Sequence, residues 1–383
     1  MQSTLIRLSD PDITREELDA VGEVLQTPQL SGGPAVAAFE EAFASYIGRK
    51  HAIAVVSGQI GLVLALKAAG LGAGSEVVAP SYSWREGAHA ITIAGAKPVF
   101  ADIDYWAGTL APAKAEAAIT ADTRAILAAN VNGHPAPWAE LKALARRSGL
   151  VLIEDSTEAI GSHYQGQPVG TFGDVAVFDF SQPGPLTCGE GGMVVTDDDE
   201  IARSLRSLRG RKPEERSSVV IGATVPYQAA MSDVAATLGL TQLKRIDVIL
   251  AKRKRIEAWY LNYAQSFEGI KPPYVAPDVD EVHWFLYVMH LGTRFTRSSR
   301  DAIVEDLKTE NIEAAAYSTP LHTQCHYLDL GYRRGDFFVT EKVADRAIAL
   351  PFHTHLTEEQ IAFVIGTTKD ASINMGAGTP IYL

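Results

Sequence analysis

Short apolar runs alternate with amphipathic helical stretches through the first half of this chain, and that alternation constrains the fold more than any other feature. The runs fall at residues 51–56, 76–79, 98–101, 125–129 and 150–153, with helical periodicity at 59–69, 84–94 and 138–148 between them. Apolar runs this short, with little polar interruption, read as strands buried on both faces. Strands separated by helices pair in parallel, because a parallel pair needs a long crossover and the helix supplies it. The expectation is an α/β fold with a mostly parallel sheet and helices on both faces.

The rest of the chain extends this plan. Thr14-Arg15-Glu16-Glu17 is a capping box opening a first helix. Residues 34–47 form an amphipathic helix with Phe39, Phe43 and Tyr46 on one face, and Ser57-Gly58 turns the first strand into the next helix. Two more β runs, 175–180 and 193–196, flank the turn Gly189-Glu190-Gly191-Gly192. From about Ser232 the pattern is helical through Ala236, Leu240, Leu243, Ile246 and Ile249. Beyond it, helices mix with a strand at 284–291. The expected division is a large domain over 1–249, a smaller α+β domain over 250–370, and a tail over 371–383. The tail has no periodicity and reads either as an arm or as a disordered end.

Composition narrows the function. A formal net charge of -12 over 383 residues leaves no basic face for nucleic acid and no polybasic membrane patch. No apolar run reaches the roughly 18 residues of a membrane span, and residues 1–12 lack an apolar signal core. Cys188 and Cys325 have neither metal-site spacing nor the number for a disulfide framework. These features together read as a cytoplasmic protein without a metal.

Several short motifs occur in a fixed order: Gly32-Gly33-Pro34, Ser57-Gly58, Pro80-Ser81-Tyr82-Ser83-Trp84, and Gly95 to Asp102. They continue with Glu154-Asp155-Ser156-Thr157-Glu158, Gly170 to Asp174, Gly189 to Gly192, and Pro320-Leu321-His322. With them the chain resembles the DegT/StrS-type sugar aminotransferase family over nearly its whole length. The resemblance implies PLP-dependent transferase fold type I, a PLP or PMP cofactor, a nucleotide-linked or cyclitol sugar as ligand, and a dimer with its sites at the interface. It also implies roles. PLP works as an electron sink when a carboxylate keeps its ring nitrogen protonated. Asp155 matches that carboxylate, Glu158 the polar partner of the ring hydroxyl, and Trp84 the stacking aromatic. Gly58, Gln59, Asp179 and Gln228 fall around the phosphate, and Gln182 on a segment bordering the site. Taken singly, Asp155 and Trp84 read first as a strand-end carboxylate and a core aromatic; the surrounding motifs assign them to the site.

The pattern breaks at the cofactor's anchors. The family's Schiff-base lysine lies five residues before the Gly-Glu-Gly-Gly turn, where this chain has Gly184, and no lysine occurs between Lys142 and Lys212. Family dehydratases that replace the lysine use histidine, which is also absent here. After Ser-Gly the family has threonine and this chain has Gln59. Between two aromatics the family has a phosphate-binding serine, and this chain has Asp179 between Phe178 and Phe180. Two like charges about 4 Å apart repel by roughly 4 kcal/mol at an effective dielectric of 20, so that carboxylate opposes a phosphate. Gln228 replaces an asparagine sent from the neighbouring subunit, and Ala230 a frequent arginine.

Three functions follow. The first is a non-catalytic subunit, forming a homodimer or pairing with a lysine-bearing relative. The second is a repurposed enzyme drawing on Trp84, Arg85, Glu86, His89, Asp155, Glu158, Asp179, Gln182 or Cys188. The third is a sugar aminotransferase or dehydratase using PLP or PMP without a lysine. Glu86 and His89 share one helix face, as a solvated or packed pair also would, and Cys188 reads first as a packing residue. His322, in the stretch that also carries Tyr327 and Tyr332, is either a ligand contact or a hydrogen-bonded structural residue.

Overall fold

The computed structural model describes residues 5–181, 184–210, 225–264 and 269–377. The elements begin with α1 (Arg15–Val24), α2 (Pro34–Ile47), β1 (His51–Val55), α3 (Gly58–Ala68), β2 (Glu76–Pro80), α4 (Arg85–Ile93) and β3 (Lys97–Ala101). They continue through α5 (Pro112–Ala117), β4 (Thr123–Ala129), α6 (Trp138–Ser148), β5 (Val151–Asp155), β6 (His163–Tyr164), β7 (Gln167–Pro168), β8 (Val175–Asp179), β9 (Gly192–Thr196) and α7 (Asp199–Arg209). After these come α8 (Asp233–Lys244), α9 (Ile246–Ala264), β10 (Ile270–Lys271), β11 (Val279–Glu281), β12 (Tyr287–Leu291), α10 (Arg297–Thr309) and β13 (Ala315–Ala316). The last are α11 (Cys325–Leu328), α12 (Phe338–Ala344), β14 (Ala347–Leu350) and α13 (Glu358–Ser372).

The main sheet has the order β1-β9-β8-β5-β4-β2-β3. From β8 to β3 every pairing is parallel, as the alternation of strands and helices requires. β9 alone runs against its neighbours, pairing antiparallel with both β1 and β8. Among the described residues no helix lies between β8 and β9, so the chain turns straight back instead of crossing over. A second, antiparallel sheet has the order β10-β12-β14-β13, and β11, β6 and β7 form a small third one. The helix α9 passes without a break through residues 249 and 250. Its buried Arg253 donates to the carbonyls of Trp284, Phe285 and Phe352, which fixes the approach to β12. The sequence of the tail gave no helical signal, yet α13 runs on to Ser372 and is followed by a π-helical turn, Ile373–Ala377.

Side chains alternate across a strand, and β8 shows what that does here. Phe178 and Phe180 point towards α2: the Phe43 ring lies 5.0 Å from Phe178 and 5.4 Å from Phe180, and Phe39 lies 5.4 Å from Phe180. Val177 and Asp179 therefore face α3. That helix sits so close that a Cβ on Gly61 would lie 3.0 Å from a methyl of Val177. One layer of aromatic packing thus decides where the carboxylate at the end of β8 goes.

Glu154, one residue before the end of β5, is fully buried and gathers the neighbouring turns. One carboxylate oxygen accepts from Asn130 Nδ2 at 3.1 Å, Ser156 Oγ at 2.9 Å and the Gly170 N–H. The other accepts from the N–H groups of Phe172 at 2.8 Å and Gly173 at 3.1 Å. Removing this acceptor strands buried donors without solvent to replace it. Glu154→Ala is expected to lower unfolding stability by about 3 kcal/mol or more in chemical denaturation. A loss below about 1 kcal/mol would contradict this role for Glu154.

Candidate functional site

The residues singled out from the sequence converge at the C-terminal edge of the parallel strands, the usual ligand-binding edge of such a sheet. Asp155 ends β5, Asp179 ends β8, Ser57 and Gly58 follow β1, and Trp84 precedes α4 as the chain leaves β2. Asp155 is 5% exposed and accepts from the Thr157 N–H at 3.1 Å. Burial pushes its carboxyl up to about 6, the Thr157 hydrogen bond works against this, and the charges of Asp179 and Glu86 add to the rise.

Glu158 is buried and held from three sides. Trp84 donates its indole N–H to Oε1. The Asn132 N–H, at 2.7 Å, and the Tyr317 hydroxyl, at 2.6 Å, donate to Oε2. Burial pushes Glu158 up to about 8, against the Tyr317 and Asn132 hydrogen bonds, and the charge of Asp155 adds to the rise. Trp84 packs edge-on against Phe285 at 5.9 Å. Phe285 is also the side-chain neighbour that a Cβ on Gly184 would meet, at 3.5 Å. Gly184 and Trp84 are therefore both neighbours of Phe285.

Asp179 occupies the start of α3. Its Oδ2 accepts from the Gly58 N–H at 2.6 Å, while Oδ1 accepts from the Ser181 N–H at 2.8 Å and from the Ser181 hydroxyl. Ser57 caps the same helix by accepting from the Ile60 N–H. Gln59 follows in the first turn, half-buried. Gln228 is exposed, with φ of 53°, on a segment beside the β1–α3 turn of its own chain, where the Val56 N–H donates to the Ala229 carbonyl at 2.8 Å. Gln182 lies outside the described residues.

Other sequence candidates have plainer surroundings. Cys188 is 6% exposed, burial pushes its thiol up, and a Cβ on Gly239 would come within 2.5 Å of its sulfur. That is a packing residue. His322 is fully buried, its Nδ1 2.6 Å from Ser81 Oγ and its Nε2 3.2 Å from Glu341 Oε1, so the structural reading holds for it. His89 lies by His326 and Tyr327, with ring centroids 6.2 Å away in each case. Glu86 pairs with Arg85 through one oxygen at 3.2 Å, and its other oxygen has no hydrogen-bond partner among the described residues. No group of three or more His, Cys, Asp or Glu among the described residues could hold a metal, and no described helix is long and apolar enough to cross a membrane. A cavity of about 860 Å³ lies between Trp106, Tyr274, Lys271 and Arg346.

Two members of the cluster escaped the sequence reading. Asn132, with φ of 53°, belongs to an Asn-Gly pair, a turn signal that could have flagged it. Tyr317 lies 159 residues along the chain from Glu158, and nothing local in the sequence marks it.

Comparison with known proteins places this edge in context. The model of the DegT/DnrJ/EryC1/StrS aminotransferase family matches residues 11–369. GDP-perosamine synthase of Caulobacter vibrioides is 36% identical over 364 residues, covering 94% of this chain and 96% of its own. The spore coat polysaccharide biosynthesis protein SpsC of Bacillus subtilis is 34% identical over 371 residues, covering 94% and 95%. Among solved structures, a putative sugar aminotransferase of Streptococcus pneumoniae in its PMP form superposes with a TM-score of 0.91 at 25% identity, covering 97% of this chain and 98% of its own. DesV of S. venezuelae superposes with a TM-score of 0.88 at 31% identity, covering 97% and 99%.

The buried Asp155 gives a measurable consequence. Its folded pKa lies above its unfolded value, so the folded state retains the proton longer. The stability this brings is full below about pH 4 and is lost as the pH rises through about 6. Asp155→Asn is therefore expected to gain on the wild type as pH rises from 4 to 7.5, by up to about 3 kcal/mol. Parallel stability–pH curves for the two proteins would contradict the assignment.

Proposed function

The chain belongs to the DegT/DnrJ/EryC1/StrS aminotransferase family, and from that premise we propose that it is a member without ordinary transamination. The observation that carries the reading is Gly184 at the place of the family's lysine, in a stretch from 143 to 211 that has no lysine. Glycine is not demanded by the backbone there. Gly184 is absent from the left-handed region, and a Cβ would lie 3.4–3.6 Å from its nearest neighbours, in ordinary contact. Lys97 pairs with Glu76, Lys252 with Asp12, and Lys254 with Glu257.

PLP, when bound, supplies an electron sink for reactions at an amine-bearing carbon. The residues present do not fit the way it is held. There is no primary amine at 184 to anchor it or to move its proton, and a positioned general base is worth about 10²–10⁴-fold in rate. At the phosphate end stands the carboxylate of Asp179. What remains is the scaffold: Trp84, Asn132 and Tyr317 donate to the buried Glu158, and the buried Asp155 accepts from Thr157. An intact scaffold around a missing anchor favours a subunit that keeps the shape of the family, in a dimer with its own copy or with a lysine-bearing relative.

A second reading keeps cofactor chemistry. The retention of a buried carboxylate at 155, where the family places the partner of the ring nitrogen, favours a PMP-using member, since the amine form needs no covalent anchor. Its substrate would be a nucleotide-linked sugar.

The test begins with PLP added to purified protein, borohydride reduction and mass spectrometry of the peptides. No adduct on any lysine is expected, and no amino transfer from glutamate to a keto sugar. A stoichiometric adduct would sink the proposal. PMP bound and turned over with a keto sugar, without an adduct, would move the choice to the second reading.

A further inference from the structure

We propose that Asp179 is a built-in anion that closes the N-terminus of α3 to phosphate, so that the pocket beside Asp155 discriminates against ligands carrying a phosphate ester at that end. This rests on the family placement above, which puts the phosphate of a bound ligand at the β1–α3 turn.

The first N–H groups of a helix have no partner within it, and the helix dipole adds a partial positive charge, so a helix start is a natural seat for an anion. In α3 two of those first N–H groups are taken. Ser57 satisfies the Ile60 N–H, and Asp179 Oδ2 lies 2.6 Å from the Gly58 nitrogen. The second oxygen is engaged as well, by the backbone and hydroxyl of Ser181. The seat is also filled sterically. A Cβ on Gly58 would lie 2.6 Å from the Asp179 Cβ and 2.8 Å from its Oδ2. A tetrahedral phosphate has no space between that carboxylate and the helix.

The carboxylate cannot retreat cheaply. Phe178 and Phe180 are packed into α2 on the opposite face, and the Phe180 N–H donates to the Gly191 carbonyl at 2.9 Å. Turning the backbone of residue 179 would pull both rings out of the core. Rotation of the side chain alone would leave an anion within the pocket, next to Asp155 and Glu86. A phosphate of nearly two negative charges would then face three carboxylates in place of a donor set. A serine at this position would reverse each term: it removes the charge, frees the Gly58 N–H and supplies a hydroxyl donor.

The experiment compares pyridoxamine with pyridoxamine 5′-phosphate, and adds inorganic phosphate as a bare probe. Calorimetry is run on the wild type, Asp179→Ser and the near-isosteric Asp179→Asn, each shown to be folded by circular dichroism. In the wild type the phosphate is expected to add nothing to affinity. In Asp179→Ser the phosphorylated form should bind at least tenfold more tightly than the unphosphorylated one, and inorganic phosphate should raise the melting temperature. Asp179→Asn should fall between, and it carries the test if the serine variant fails to fold. The proposal is overturned if the wild type prefers the phosphorylated form tenfold or more. It is equally overturned if the folded variants show no phosphate gain or bind neither form. A borohydride-trapped lysine in the wild type would defeat the reading built on Gly184 and leave this affinity ratio to be judged on its own.

Discussion

The end of β8 has to serve both faces of the main sheet at once, and that constraint organises the candidate site. Phe178 and Phe180 fill the space under α2, so the residue between them has to emerge under the start of α3. Whatever stands at 179 meets the helix dipole and the Gly58 N–H. A hydroxyl there leaves a seat for an incoming anion. A carboxylate takes the seat itself. The packing that fixes the strand therefore also determines what the helix end can bind.

Around this junction two buried carboxyl groups hold the scaffold together. Glu154 ties β5 to the 170–173 turn through three hydrogen bonds and to Asn130 and Ser156 through two more. Glu158 ties Trp84 to Tyr317 across the fold. Both carboxylates are buried and fully engaged, which is costly to maintain unless the local geometry matters. Relatives about one third identical span almost the whole chain. The proposed reading assigns Gly184, Asp179, Gln59 and Gln228 to the covalent anchor or the phosphate end.

Much of this was legible in the sequence, for identifiable reasons. Helices 34–47 and 138–148 were placed to the residue because Pro34 opens one and glycines 48 and 149 close both in left-handed conformations. The parallel strands were legible from apolar runs too short to be helices. The antiparallel β9 was not, because pairing direction depends on the connection and not on the strand. The convergence of Asp155, Glu158 and Trp84 followed from motif order. The contact of Asp179 with Gly58 needed the alternation of β8 together with the closeness of α3, and only the first of these is visible in a sequence. Tyr317 and Arg253 act across long separations, which no local pattern encodes.

The account turns on what occupies the start of α3. The most direct measurement is a high-resolution crystal structure of the wild type grown with millimolar PMP. The account predicts the Asp179 carboxylate on the Gly58 N–H, as in the free protein, with no phosphate density at the helix start. A phosphate seated on the Gly58 N–H, with Asp179 swung aside, would contradict it.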